Sequence, residues 1–474
     1  MMRRFIALVL LTVMMLLSSC LEGTGTAARN GREAGSRETP DDWVTIGGKY
    51  PYKSLSNLHP FKVPEIKIDA EMASGQGKLE TCNDGFVCVS VKPVSQDVEA
   101  AELKKPLARK YDNTGKLLWE KEYEYSSSTG FINNLVICAD NGFLYTIQTY
   151  PQYSADGVIY EKSLIIRCGE NGDMLWKHEL DDYSGNMVMT AILAEDGEVW
   201  LIGTGRMKNG VQTKEEIPDT IAVTRLDADG NPVGQNWFGG NDFDYVYSAY
   251  YNKASGLILW GSSQSRDGDF AIDKDSNRND FIACMNNRLE LQWIHHAGMN
   301  KGYDTAPLIS DNGEVYILGS MYEAGSKPKG FLSKLDREGS IVWEKQVFGD
   351  YWGNSVSQAV NGDILIAKGY SDTGMIAVVD SDGNEKKLFD GLEFNPGEIY
   401  PVESGGFIVT ATRNVGYVPQ PPFISSIWYD TELVVIKYNS EYEIEWRKTY
   451  DRYQNQRGMD LAWPQPDGSL VIPR

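Results

Sequence analysis

One loop carries side chains at the spacing of a hard-cation site. Asp267 to Asp280 reads DGDFAIDKDSNRND, and Asp273, Asp275 and Asn277 alternate along it. Ca²⁺ gathers roughly six to eight oxygens, so carboxylates and amides at alternate positions suit it. Arg278 stands where a calcium loop has its turn glycine, and Cys284 where it has its bidentate glutamate. A solvated polar loop is therefore the competing reading, and no other cofactor is expected. The histidines are His59, His178, His295 and His296. Neighbours on a strand point to opposite faces, so His295 and His296 should not share a ligand. The cysteines are Cys20, Cys82, Cys88, Cys138, Cys168 and Cys284, without a CxxC pair, which argues against structural zinc. No Ser-His-Asp order, P-loop or HExxH motif is present. Acidic pairs are too numerous for spacing to select a glycosidase dyad.

The elements that position these residues are repeats. A glycine, usually after Asp, Asn or Ser, opens an alternating apolar strand at Gly85, Gly142, Gly197, Gly256, Gly313, Gly362, Gly406 and Gly468. Such dipeptides suit tight hairpins that need positive φ. The third residue after each glycine is Cys88, Tyr145, Trp200, Leu259, Tyr316, Leu365, Val409 or Val471, as one buried strand face requires. A second turn, Asp-x-x-Gly, stands at Asp112–Gly115, Asp227–Gly230, Asp336–Gly339 and Asp380–Gly383, with degenerate copies around Gly172, Asn287 and Tyr442. The carboxylate can accept a backbone N–H, and glycine takes the left-handed position. Trp119, Trp176, Trp343 and Trp446 follow four residues after the glycine position, with Trp237 and Trp293 as the counterparts in their copies. Each indole should bury a large area against a neighbouring unit.

Each unit reads strand, tight turn, strand, longer loop, strand, Asp-x-x-Gly turn, strand. The period is mostly about 57 residues and falls to about 44–50 near the sixth and seventh copies. Four antiparallel strands per unit predict an all-β chain folded as a β-propeller, with a parallel α/β sheet excluded by the short turns. Eight blades are expected, with seven as the alternative. Closure would come from residues 41–75, where Asp42–Gly48 and Pro64–Met72 are strand-like, and the repeats fill 76–474.

The pattern Leu-Asp-x-x-Gly…Trp, then Gly239-Gly240 and Asp-Gly before an apolar strand, resembles bacterial β-propeller repeat proteins of the quinoprotein-like and related secreted kind. The resemblance covers roughly 76–474 and implies the fold. Some such proteins are quinone-dependent dehydrogenases with a vicinal Cys-Cys pair, which this chain lacks. Their repeat also has one more residue between Asp and Gly than Asp112 to Gly115. Another branch consists of lipid-anchored envelope propellers without catalytic activity.

Residues 1–20 read MMRRFIALVLLTVMMLLSSC. Arg3 and Arg4 precede an apolar run, Phe5 to Leu17, that is short for a membrane span. Leu17-Ser18-Ser19-Cys20 resembles a bacterial lipobox. That resemblance implies removal of 1–19, acylation of Cys20 and anchoring of the chain in the outer membrane or at the cell surface. Residues 20–40 hold too few large apolar side chains to bury a core and read as a tether. The formal net charge of −21 repels phosphate backbones, so nucleic acid is not an expected partner.

Aromatic residues collect in the loops of one propeller face, with Phe243, Tyr245, Tyr303, Tyr351, Trp352, Tyr417 and Trp428 as the candidate contact set. Arg413 to Trp428 reads as one long proline-containing loop. The expected function is a non-catalytic binding scaffold for an envelope protein or glycan. The alternative is an enzyme on the same disc, glycan-active or quinone-dependent.

Overall fold

The computed structural model describes residues 78–471, apart from connecting stretches. These are 94–102, 113–115, 154–158, 208–219, 253–255, 271–278, 349–354, 369–373, 419–427, 454–462 and 465–469, with a few single or paired positions between strands. Residues 41–75 and Cys20 lie outside this set. The described residues form seven four-stranded antiparallel sheets in chain order, with one 3₁₀ turn, Gly268–Phe270, and no α-helix. This is a β-propeller, and the blade count fits seven or eight.

Sheet 1 comprises Lys78–Cys82, Gly85–Pro93, Leu103–Asp112 and Leu117–Glu122. Sheet 2 comprises Ser127–Ile137, Phe143–Thr149, Ser163–Cys168 and Met174–Leu180. Sheet 3 runs from Tyr183–Leu193 through Val199–Met207 and Thr220–Leu226 to Pro232–Phe238. Sheet 4 runs from Asp244–Asn252 through Gly256–Ser263 and Asn279–Met285 to Leu291–His296. In sheet 5 the first strand is split into Lys301–Tyr303 and Leu308–Ile309, followed by Val315–Met321, Lys329–Leu335 and Ile341–Phe348. Sheet 6 holds Ser355–Gln358, Ile364–Lys368, Gly374–Val379 and Glu385–Leu392. Sheet 7 holds Asn395–Pro401, Phe407–Val418, Trp428–Tyr438 and Ile444–Tyr453. A two-stranded piece, Trp463–Pro464 with Leu470–Val471, follows and lies against Lys78–Cys82.

Separate apolar cores fill the spaces between consecutive sheets. Ile166 packs toward sheet 1 and Ile165 toward sheet 3. Middle strands buried on both faces need runs of apolar residues rather than strict alternation, hence GLILWG in sheet 4 and VYILG in sheet 5. The outer strands alternate, as in Leu117–Glu122, because one face meets solvent. Cys88, Tyr145, Trp200, Leu259, Tyr316, Leu365 and Val409 are all buried.

The turns follow their side chains. Asp227 Oδ1 accepts the N–H groups of Asp229 at 3.0 Å and Asn231 at 2.8 Å. Asp336 and Asp380 repeat this, and Asn286 and Asn439 do the same with an amide oxygen. In the Asn141-Gly142 turn the left-handed residue is Asn141, with φ of 60°, and not the glycine. An asparagine tolerates that conformation. Most first turns are also tied by an acidic side chain to a cation on a later strand, as in Asp84–Lys110 at 2.9 Å, Asp140–Arg167 at 2.7 Å and Glu314–Lys334 at 2.8 Å.

The outer strands of sheets 1 to 6 dock on the second turn of the following sheet, and the two partners share one volume. Trp119, Trp176, Trp293 and Trp343 face Gly172, Gly230, Gly339 and Gly383. A Cβ on Gly230 would lie 2.6 Å from Trp176 Cδ2, and one on Gly383 would lie 2.8 Å from Trp343 Cη2. The indole N–H groups of Trp176, Trp293 and Trp343 donate to the carbonyls of Ala228, Arg337 and Ser381 at 2.9, 2.6 and 3.1 Å. In sheet 3 the slot is held by Gly234 rather than by Trp237, and the facing turn supplies bulk instead. Leu289 has φ of 63°, and its Cδ1 would lie 3.4 Å from a Cβ on Gly234. Between sheets 6 and 7, Lys387 takes the slot and donates to the carbonyl of Tyr442 at 2.9 Å.

Candidate binding face

In antiparallel four-stranded sheets the tight turns after the first and third strands lie at one end, and the loops after the second strand and the inter-sheet links lie at the other. Phe243 and the acidic residues Asp242, Asp267 and Asp269 fall at the second end. The best-defined part lies at sheet 4, where the link 239–243 meets the loop 264–270.

Asp244 opens the first strand of sheet 4 and is fully buried. Its carboxylate accepts the N–H of Gly240 at 2.8 Å and the hydroxyls of Ser263 and Ser265, the latter at 2.9 Å. Burial pushes its pKa up, against these donors and with the Asp242 charge adding. Asp267 accepts the N–H of Asn241 at 2.8 Å, and Asp269 that of Gly239 at 3.1 Å. Asp242 N–H donates to Ser265 Oγ at 3.1 Å. Phe270 anchors the loop from below by stacking on Phe281 at 4.5 Å. A loop whose donors are bound internally is held in one conformation.

On this frame sit Phe243 and Tyr245, both half-buried, with rings 6.2 Å apart and 10° from parallel. Tyr303 is different. It is 7% exposed and packs in the core between sheets 4 and 5, edge-on to Phe331 at 6.5 Å. This corrects its placement in the exposed contact set. It lies one residue before Asp304 in a split first strand, where the chain turns inward. Tyr417 and Trp428 also stand elsewhere than in a loop. They belong to strands of sheet 7 that pair Tyr417 with Tyr429 and Val418 with Trp428, so the connection shortens to 419–427. Tyr351 and Trp352 lie outside the described residues, as do Asp273, Asp275 and Asn277.

A second polar group joins sheets 4 and 5. Asp280, buried on sheet 4, accepts the backbone N–H of Tyr303 on sheet 5 at 2.9 Å. Asp304 accepts the hydroxyl of Ser320. Burial, opposed by that hydroxyl and reinforced by the Asp280 charge, brings its pKa up to about 6. His295 and His296 pair with Ile282 and Phe281 on the neighbouring strand, and burial lowers the pKa of both. Cys82, Cys88, Cys138, Cys168 and Cys284 are buried thiols outside any disulfide. Burial pushes Cys82, Cys168 and Cys284 up to about 11 and Cys138 up to about 12, so all four stay protonated at neutral pH. Sequence reasoning passed over Asp244, Asp280 and Asp304. The available signal was an aspartate inside or beside an aromatic pair, as in Phe243-Asp244-Tyr245 and Tyr303-Asp304.

No protein-family model matches the chain, and no curated protein sequence matches it. Among solved structures it is similar to the Dos1 propeller at 12% identity, covering 65% of this chain and 71% of that one with a TM-score of 0.42. A streptogramin B lyase is similar at 13% identity, over 72% of this chain and 96% of that one, with a TM-score of 0.35. A prolyl endopeptidase is similar at 11% identity, over 82% and 51%, with a TM-score of 0.41.

Proposed function

We propose that the chain is a lipid-anchored propeller of the bacterial cell envelope, of the quinoprotein-like repeat kind, that serves as a non-catalytic binding scaffold for a protein or glycan. The observation that carries this reading is the loop pair at sheet 4. Its carboxylates and serines are bound to the loop's own backbone, and that frame presents the stacked Phe243 and Tyr245 rings. Paired aromatic rings on a rigid frame suit contact with apolar protein surface or sugar rings, at little conformational cost. The anchor rests on the sequence Leu17-Ser18-Ser19-Cys20.

The test uses a soluble form beginning near Asp41, incubated with detergent-solubilised envelope and, separately, with envelope glycans. Phe243→Ala with Tyr245→Ala is the control. A partner held by the first protein and lost by the control supports the scaffold. Retention of every partner by the control removes this face from the function. Replacing Cys20 by Ser should release the full chain from membranes, and continued co-sedimentation would refute the anchor.

A further inference from the structure

The acids beside the stacked Phe243 and Tyr245 rings differ from acids elsewhere at this end of the propeller. The link 239–244 and the loop 264–270 carry Asp242, Asp244, Asp267 and Asp269 against one base, Arg266. Asp244 is buried, and the other three are exposed. Asp242 accepts the backbone N–H of Phe243 at 2.9 Å, Asp267 that of Asn241 at 2.8 Å and Asp269 that of Gly239 at 3.1 Å. These donors are neutral, and among the described residues no lysine or arginine pairs with any of the three. Other acids at this end are matched by a cation. Glu323 meets Lys329 at 2.9 Å in the loop of sheet 5, and Glu393 meets Arg447 at 2.7 Å in the link after sheet 6. Aromatic faces attract a cation placed over them. A guanidinium can lie flat on a ring while its N–H groups reach sideways to carboxylates, whereas an ammonium lacks that flat fork. A neutral sugar would use the rings and leave the carboxylate charge without a counterpart, and an anionic one would be repelled.

We infer that the Phe243–Tyr245 face receives an arginine side chain from a basic segment of a partner protein, its guanidinium against the rings and its N–H groups toward Asp242 and the neighbouring loop carboxylates. This rests on the scaffold reading above and narrows its partner to a cationic protein segment. The formal net charge of −21 steers any cation toward the molecule. What selects this place is the coincidence of paired rings with carboxylates bound to neutral donors.

The experiment titrates the full chain, in neutral detergent, with a labelled glycine–serine peptide carrying two arginines. The same peptide with citrulline keeps the shape and loses the charge, and a chito-oligosaccharide is the glycan probe. The arginine peptide should bind about tenfold more tightly than the citrulline peptide. Asp242→Asn, which keeps an acceptor for the Phe243 N–H, should weaken it about three- to tenfold, and so should Phe243→Ala with Tyr245→Ala. Glu338→Gln makes the same charge change on an exposed acid in a turn at the other end and should alter binding by less than about twofold. Equal affinity for the two peptides, or equal losses for Glu338→Gln and the two face variants, would overturn the inference. Oligosaccharide binding that is lost with the rings, without any preference for arginine, would also overturn it and leave the scaffold standing for a glycan. Failure of the scaffold reading shows differently, as retention of every envelope partner by the ring variant.

Discussion

Gly230→Ala isolates the contact between an outer strand and the next turn. Gly230 has φ of 83°, and a left-handed placement costs an alanine roughly 1–2 kcal/mol. The added methyl would also lie 2.6 Å from Trp176 Cδ2 and Cε3. Overpacking of that kind costs about 1–3 kcal/mol, so the expected loss is about 2–5 kcal/mol. Gly362→Ala is the matched control, because Gly362 has φ of 88° and nothing within 4 Å of the new Cβ. It should lose only the backbone share. In a Trp176→Ala background, itself weakened by about 3–5 kcal/mol, Gly230→Ala should likewise lose only that share. The double-mutant cycle then shows a coupling of about 1–3 kcal/mol. Urea midpoints followed by tryptophan fluorescence and by circular dichroism give the numbers. Equal losses for Gly230→Ala and Gly362→Ala, together with additivity in the cycle, would refute the shared-volume account.

Other outcomes follow from the buried titratable groups and from the sheet 3 exception. Asp304 has a pKa of about 6 in the folded chain against 3.8 ordinarily, so the folded state binds its proton more tightly than the unfolded state. Stability linked to this acid is therefore complete below about pH 4 and is lost as pH rises through 6, with a ceiling of about 3 kcal/mol. Asp304→Asn should flatten that part of the stability profile and raise the melting temperature at pH 8, and an unchanged slope would count against the burial. An aromatic disulfide reagent at pH 8 should leave all five described thiols unmodified until the chain is unfolded, and a fast-reacting thiol in the native protein would contradict their packing. Leu289→Gly should cost about 2–5 kcal/mol by emptying the slot opposite Gly234, less about 1–2 kcal/mol of positive-φ strain that the glycine relieves, and Gly234→Trp added to it should restore part of the loss in melting experiments.

The propeller was legible because its signals are local. A hairpin turn, an aspartate that caps it and an indole on the next strand fall within one repeat, and each has a physical reason to stand where it does. What lay out of reach depends on residues far apart in sequence. Tyr303 reads as a loop aromatic until Asp280 and Phe331 are seen to enclose it. Tyr417 and Trp428 flank a stretch with Pro419, Pro421 and Pro422, which suggest a break, yet the two strands, of 12 and 11 residues, stay paired through these positions. Asp244 and Asp304 look like ordinary surface acids in their own segments, and burial by neighbouring strands is what sets them apart.

The irregular copies make the same point in energetic terms. Read alone, Asn286 to Leu289 is a poor copy of Asp-x-x-Gly, because a leucine at positive φ is strained by roughly 1–2 kcal/mol. Read alone, Gly234 is a missing tryptophan. Together they fill one volume: the leucine supplies from the turn what the glycine leaves open on the strand, and Asn236 Nδ2 ties the two by donating to the Leu289 carbonyl at 3.0 Å. Tyr442 with Lys387 follows the same logic, the tyrosine reaching back to Asp363 and Asn361. The unit under packing constraint is thus the pair formed by one outer strand and the next turn, about a whole repeat apart. A substitution at either member is to be judged by the volume of the other, whatever its match to the repeat consensus.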